Sequence, residues 1–273
     1  MGYRMLVTDL DYTCLNDDHV IPEDNIKAAK RAIEEGLIFS VATGRSKAAA
    51  ERHVLQLAPN APVILQNGMS IYDFNENRTI IEHLVDTEMS IMAIEWGDSK
   101  GIITAVAIGD RHYISKRGGE MVEALEKLEG VPCVETGDLK AFIESEKETV
   151  KIANVLYVVR PEDRDKLARQ AVLDFPEVSV IVSGPPFIEF LNKEASKGHA
   201  LEELCAIIGV DLSEVVVVGD APNDAEMMMR AGMSYAVANA EDKVKGIAQR
   251  MTKRGHNDAV LPEVLLDAFG INV

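Results

Sequence analysis

The run Val215-Val216-Val217-Val218 constrains the fold more than any other part of the chain. Four consecutive β-branched residues leave no polar face for solvent, which suits a strand of a parallel sheet covered on both sides. A run of similar kind, Met5-Leu6-Val7-Thr8, stands near the other end of the sequence. Each is followed at once by acid: Asp9-Leu10-Asp11 after the first, and Gly219-Asp220-Ala221-Pro222-Asn223-Asp224 after the second. Open parallel sheets bind ligands at the carboxyl ends of their strands, which is where both clusters fall.

Around these two runs, short apolar strands alternate with amphipathic helices, the α/β pattern. A helix is expected from Glu23 to about Glu35, stopped by Gly36, then a strand over 37–42 closed by Thr43-Gly44-Arg45. A helix over 46–57, broken by Pro59 and Pro62, leads to a third strand at 63–66 that ends in Asn67-Gly68. From about 84 to 190 the texture changes. Strands at 102–108, 152–159, 178–183 and 187–191 adjoin one another and read as an antiparallel sheet, with helices over 120–129 and 162–175. The α/β rhythm then resumes with a helix at 197–208, the valine strand at 214–218, a helix at 225–231 and a strand at 234–237. The fold class expected is α/β: a Rossmann-like doubly wound parallel-sheet core (residues 1–84 and 191–273) interrupted by an inserted α+β domain (85–190).

Composition excludes several functions. Asp and Glu number 45 against 28 Lys and Arg, a net charge of −17. Such a polyanion is repelled by nucleic acid and by anionic membranes. The apolar runs fall far short of the roughly 18–20 residues that span a bilayer. The N-terminal stretch turns acidic at Asp9, so no signal-peptide core is expected. Cys14, Cys133 and Cys205 are scattered, with no CxxC pair, as in proteins of a reducing compartment. The expectation is a cytoplasmic protein with a small-molecule partner.

The acids carry the chemistry. Asp9 and Asp11, two apart on an extended segment, tend to face the same side. Held that close they repel, and a hard divalent cation with oxygen ligands, most simply Mg²⁺, relieves the repulsion. An acid at Asp224 also suits a helix N-terminus, but that does not account for Asp220, Asn223 and Asp224 together. Thr43 offers a hydroxyl at a strand end, and Gly44 lets backbone amides approach an anion. Lys197 falls near a helix start, where a cation opposes the dipole unless something else requires it.

Taken in order, Asp9-Leu10-Asp11-Tyr12-Thr13, Ala42-Thr43-Gly44-Arg45, Lys197 and Gly219-Asp220-Ala221-Pro222-Asn223-Asp224 resemble the four motifs of the haloacid dehalogenase superfamily of phosphohydrolases. Gln66-Asn67-Gly68, Ser196-Lys197-Gly198-His199-Ala200-Leu201 and His256-Asn257-Asp258-Ala259-Val260 are similar to its Cof-type branch. Between Thr13 and Thr43 lie 29 residues, enough for a loop and one helix; between Thr43 and Lys197 lie 153, room for a domain of roughly 100 residues. The insert therefore resembles the large α/β cap of sugar-phosphate phosphatases.

The resemblance implies roles. Asp9 would be the nucleophile and form an aspartyl-phosphate; Asp11 would be the acid and base. Mg²⁺ would be held by Asp9, the backbone carbonyl of Asp11 and Asp220, with Asp224 behind them or bound through water. Thr43, Gly44 and Lys197 would hold the phosphoryl group, Asn223 would orient it or the acids, and Arg45 and Asn67 would contact substrate. The chain departs from the pattern at Tyr12, where many members carry Gly, which puts bulk at the entrance. A phosphotransferase or mutase would use the same intermediate. A receiver-like signalling module is disfavoured because its acids belong to one compact domain rather than to both ends of a long insert. Among insert residues, Arg111, His112, Tyr113, Lys116 and Arg117 read as a solvated hairpin. Sugar phosphates or other small phosphate esters are the substrates the resemblance implies, with no protein partner indicated.

Overall fold

The computed structural model describes residues 2–109, 111–130, 132–147, 149–182 and 186–273. The chain opens with β1 (Met5–Thr8), α1 (Glu23–Glu34), β2 (Ile38–Val41) and α2 (Lys47–Leu57), followed by three short strands, β3 (Val63–Leu65), β4 (Ser70–Asp73) and β5 (Arg78–Glu82). Next come α3 (Thr87–Ser99), β6 (Ile103–Ile108), β7 (Arg111–Ile114), α4 (Glu120–Glu129), β8 (Val134–Glu135), α5 (Leu139–Ser145), β9 (Ile152–Val158), α6 (Pro161–Asp174), β10 (Val178–Val182) and β11 (Phe187–Asn192). The C-terminal stretch holds α7 (Lys197–Ile208), β12 (Val215–Gly219), α8 (Ala225–Arg230), β13 (Met233–Ala236), α9 (Asp242–Lys245), β14 (Arg250–Met251) and α10 (Leu261–Val264). Two compact units result: residues 1–44, 50–81 and 196–273 form one, and 45–49 with 82–195 the other.

In the first unit a parallel sheet runs β14-β13-β12-β1-β2. The two apolar runs are its central neighbours, with Thr8 opposite Val218 on one side and Val41 on the other. Every residue of β1, and Val215 to Val218, is fully buried. Burial of a Val or Leu side chain is worth about 1.5–3 kcal/mol, so these two strands anchor the core. α1 packs Ala28, Ala29 and Ala32 inward and stops where Gly36 takes φ 85°, as its composition predicts. The register brings the carboxyl ends of β1, β2 and β12 level, which fixes where the residues after them sit.

The third strand forms where the sequence places it, over Val63–Leu65. Its ladder partner is β4, antiparallel, in a sheet ordered β3-β4-β5, while a parallel isolated bridge between Ala42 and Ile64 ties it to the end of β2. The cause is local. Gln66 and Asn67 both take left-handed backbone (φ 48° and 56°), and with Gly68 they turn the chain straight back as β4.

In the second unit six strands run β10-β11-β9-β6-β7-β8. All pairs are antiparallel except β7 with β8, which is parallel and was not expected. Ala93, Ile94, Leu139, Ile143, Ala171 and Phe175 pack one face of the sheet, with Val106, Val155, Tyr157 and Phe190. Val122 and Leu125 pack another cluster with Ala105, Ile114 and Leu156. The hairpin at 111–114 is less solvated than its charges suggested: His112 is buried opposite Ala107, and the Tyr113 ring stacks on Phe142 at 5.1 Å. The end of the strand expected at 178–183, Ser183, lies outside the described residues. No helix among the described residues is long and apolar enough to cross a membrane. Cys14, Cys133 and Cys205 are buried and stand outside any disulfide among the described residues.

Candidate active site

Asp9 leaves β1 with its amide donating to the Val218 carbonyl at 2.9 Å, so the backbone of the first acidic cluster is pinned to the strand that carries the second. Across the sheet, Lys197 is the first residue of α7, and Ser196 caps that helix by accepting the His199 amide at 3.0 Å. The ammonium reaches the acids: Lys197 Nζ lies 2.6 Å from Asp9 Oδ1 and 2.7 Å from Asp224 Oδ1. All three side chains are buried, Lys197 being only 1% exposed. A lone buried ammonium would be costly, and two carboxylates explain why this cation tolerates an unfavourable helix end.

Asp224 is held by more than its charge. Its Oδ2 accepts the amides of Asp220 at 2.9 Å and Ala221 at 3.1 Å, folding the carboxylate back over the turn that leaves β12. It therefore does not cap α8, whose first residue follows it. A Cβ on Gly219 would stand 2.5 Å from the Asp224 carboxyl carbon, so only glycine admits this arrangement. Asp220 accepts the Thr13 hydroxyl at 2.9 Å. That contact was missed in the sequence, although Thr13 sits four residues after Asp9 in a motif where a hydroxyl has no other evident use.

The set carries three acids and one ammonium. Burial, then the charges of Asp224 and Asp11, push the Asp9 carboxyl up to about 7 against the pull of Lys197. Burial, then Asp9 and Asp224, push Asp220 up to about 9. Lys197 is pulled down by burial, but Asp224 and Asp9 outweigh it and hold the ammonium above the usual lysine range. The site has negative charge in excess of its own cation. Carboxylate oxygens of Asp9, Asp220 and Asp224 lie within 4.8 Å of one another, a hard, all-oxygen donor set. Donors of this kind, short of positive charge, fit Mg²⁺.

A second grouping lies beside the first. Thr43 is buried; its amide donates to Ile64 and its carbonyl accepts the Asn67 amide at 3.1 Å. A Cβ on Gly44 would come within 3.0 Å of the Asn67 Oδ1. Asn223 donates to that same oxygen at 2.9 Å and so reaches Asn67 rather than the acids, while its own Oδ1 is buried without a partner. Gly68 packs its Cα against the Ser196 carbonyl, where a Cβ would stand at 2.1 Å, so the turn after β3 abuts the cap of α7. Asp11 is partly exposed, 3.8 Å from His19 Nδ1. Arg45 belongs to the other compact unit, where its guanidinium donates to the Ala49 carbonyl at 3.4 Å.

A parallel α/β unit with acids closing two neighbouring strands and a buried lysine between them places a candidate catalytic centre at the strand ends. The sequence pattern of haloacid dehalogenase-like hydrolases matches residues 6–264. The chain belongs to that family. A Bacillus subtilis 5-amino-6-(5-phospho-D-ribitylamino)uracil phosphatase is 29% identical, covering 94% of this chain and 95% of its own. Another Bacillus subtilis phosphatase is 25% identical over 91% of this chain and 94% of its own. A Bacteroides thetaiotaomicron haloacid dehalogenase-like hydrolase shares the fold at TM-score 0.85 and 23% identity, covering 98% of this chain and all (100%) of its own. A crystal structure from Thermotoga maritima matches at TM-score 0.79 and 26% identity, over 96% of each chain.

Proposed function

We propose that the protein is a Mg²⁺-dependent phosphatase of small phosphorylated metabolites, working through an aspartyl-phosphate at Asp9. The observation that carries this reading is the ammonium of Lys197 shared between Asp9 and Asp224, buried at the carboxyl ends of β1 and β12. It aims one carboxylate and offsets the charge of another, which suits a carboxylate nucleophile for phosphorus. Asp9 and Asp220 with the backbone carbonyl of Asp11 would hold Mg²⁺, and Asp224 would bind it through water. Bound there, the ion would let an anionic phosphate approach the acids and stabilise the charge that grows on its oxygens.

The residues then act in two steps. An oxygen of Asp9 attacks phosphorus as the ester oxygen leaves with a proton from Asp11, giving the free alcohol. Water next gives its proton to Asp11 and attacks the same phosphorus, releasing inorganic phosphate and restoring Asp9. Thr43, the backbone at Gly44 and Lys197 would hold the phosphoryl oxygens, and Asn223, whose amide nitrogen donates to Asn67, would orient them through its N–H groups. Residues 1–84 and 191–273 would form the catalytic core and 85–190 the cap; Arg45, within the 1–84 segment, and cap side chains would select the ester.

The relative that acts on a ribityl phosphate supports a phosphorylated sugar or polyol as the substrate class. Three buried cysteines held in no disulfide support a cytoplasmic setting. The test is phosphate release from a panel of phosphorylated metabolites, with Mg²⁺ and with chelator. Release that needs Mg²⁺ and ends with Asp9→Asn supports the reading; release indifferent to both sinks it.

A further inference from the structure

We infer that Asn239 is a positioning residue for Asp11, acting through the backbone of Tyr12, an assignment that rests on the phosphatase reading above. Tyr12 takes left-handed backbone, φ 55°, directly after Asp11. A residue with a Cβ keeps that conformation only where its surroundings hold it. Burial does not hold this one, since Tyr12 is 47% exposed. What holds it is a clasp from two later loops. Asn239 Nδ2 donates to the Tyr12 carbonyl at 2.8 Å, and Asn239 Oδ1 accepts the His256 amide at 2.8 Å. The His256 ring meets the Tyr12 ring edge-on at 5.6 Å.

The clasp has a second point of attachment. His256 Nε2 lies 2.7 Å from Asp17 Oδ1, Asn257 donates to Asp17 Oδ2 at 2.8 Å, and the Asp17 amide donates back to Asn257 at 3.0 Å. Between these ties the loop is compact, because the Leu10 carbonyl accepts the amides of Thr13, Cys14 and Leu15. Asn239 fits without slack: a Cβ on Gly255 would stand 3.0 Å from its Oδ1. The late His256-Asn257 stretch, which the four motifs leave unused, thus acquires a task. On one side of Asp11 the backbone is tied to β12 through Asp9; on the other it is tied through Tyr12 to Asn239. Releasing the second tie lets the Tyr12 backbone leave the left-handed region and turns Asp11 away from the leaving oxygen.

The test separates proton donation from nucleophilic attack. In single turnovers with Mg²⁺, wild type, Asn239→Ala and Asn239→Asp are compared on an alkyl phosphate, whose leaving oxygen needs a proton, and on para-nitrophenyl phosphate, whose leaving group does not. Asn239→Asp keeps the acceptor for His256 and removes the donor to Tyr12, so it tests the contact in a near-isosteric side chain. Both variants should slow the alkyl ester about 10- to 100-fold, within what a misplaced acid forfeits. Nitrophenolate release should change less than about 3-fold, because Asp9 is untouched. Adding Tyr12→Gly to Asn239→Ala should restore the alkyl-ester rate, since glycine takes the left-handed backbone freely. Equal slowing of both esters, no slowing, or no rescue by Tyr12→Gly would each overturn the assignment. No phosphate release by wild type from either ester would remove the phosphatase reading and this inference with it.

Discussion

Asp220 and Asp11 differ in how their carboxylates are used, and single substitutions should separate them. Asp220 offers its side chain to the acid cluster and takes the Thr13 hydroxyl; Asp11 would offer only a backbone carbonyl to the ion. Asp220→Ala should therefore weaken Mg²⁺ binding at least about 10-fold by calorimetry, with turnover partly restored at high Mg²⁺. Asp11→Asn should bind Mg²⁺ as wild type does and lose turnover about 10²- to 10⁴-fold, the usual worth of a positioned acid. Equal losses of affinity in the two variants would refute the division. Lys197 answers to stability as well as to chemistry. Lys197→Met leaves Asp9 and Asp224 buried without their cation, a loss of about 3–5 kcal/mol. Protonating the acids relieves part of that, so denaturant melts should show a greater loss at pH 8 than at pH 5. A loss that is the same at both would mean the ammonium is not what balances the acids.

At the scale of elements, the turn after β3 deserves a direct trial because it connects a small sheet to the helix that carries Lys197. Gly36 and Gly68 have similar left-handed backbone, φ 85° and 95°, but a Cβ on Gly36 would meet nothing within 4 Å while one on Gly68 would strike the Ser196 carbonyl. Gly36→Ala should cost about 1 kcal/mol, the strain of the backbone alone. Gly68→Ala should cost about 2 kcal/mol or more and also slow phosphate release, because the cap of α7 must move and Lys197 moves with it. Equal costs with unchanged turnover would detach β3 from the site. This turn also marks where the sequence ceased to be readable. The buried strands, α1 with its Gly36 stop, and α7 down to its first residue follow from local pattern. The pairing of β3 does not, because three apolar residues fit a parallel or an antiparallel partner equally well; the left-handed Gln66 and Asn67 decide it. β4, β5 and β8 are short, and their mixed polar and apolar residues look like loop, while β7 lies in the stretch read as a hairpin. In the site, Asp9, Lys197, Asp220 and Asp224 were legible because each breaks a local rule: acid after a buried strand, or a cation at a helix start. Thr13 and Asn239 break none, and their partners lie 207 and 227 residues away.

Over the whole molecule, the excess of acid in the site couples stability to pH and to metal. Asp9 and Asp220 titrate near 7 and 9 when folded, well above the ordinary carboxylate range of about 4, so the folded chain holds more protons than the unfolded one between those limits. Their contribution is fully present below about pH 4 and is lost as pH rises through 7 and 9. In chelator the melting temperature should therefore fall between pH 6 and 9, and Asp220→Asn should flatten the fall. Mg²⁺ competes with those protons, so its stabilising effect should grow over the same range. A melting temperature that rises with pH in chelator, or a Mg²⁺ effect that shrinks, would contradict the charge balance drawn for the site.

The central claim is that Asp9 carries the phosphoryl group between substrate and water. It is tested most directly by acid-quenching the enzyme within a single turnover of a phosphate ester, then mapping any phosphorylated peptide by mass spectrometry. The account predicts phosphate on Asp9, present only with Mg²⁺, accumulating in Asp11→Asn because water is no longer activated, and absent in Asp9→Asn. Turnover at the wild-type rate by Asp9→Asn, or a phosphorylated residue other than Asp9, would contradict it.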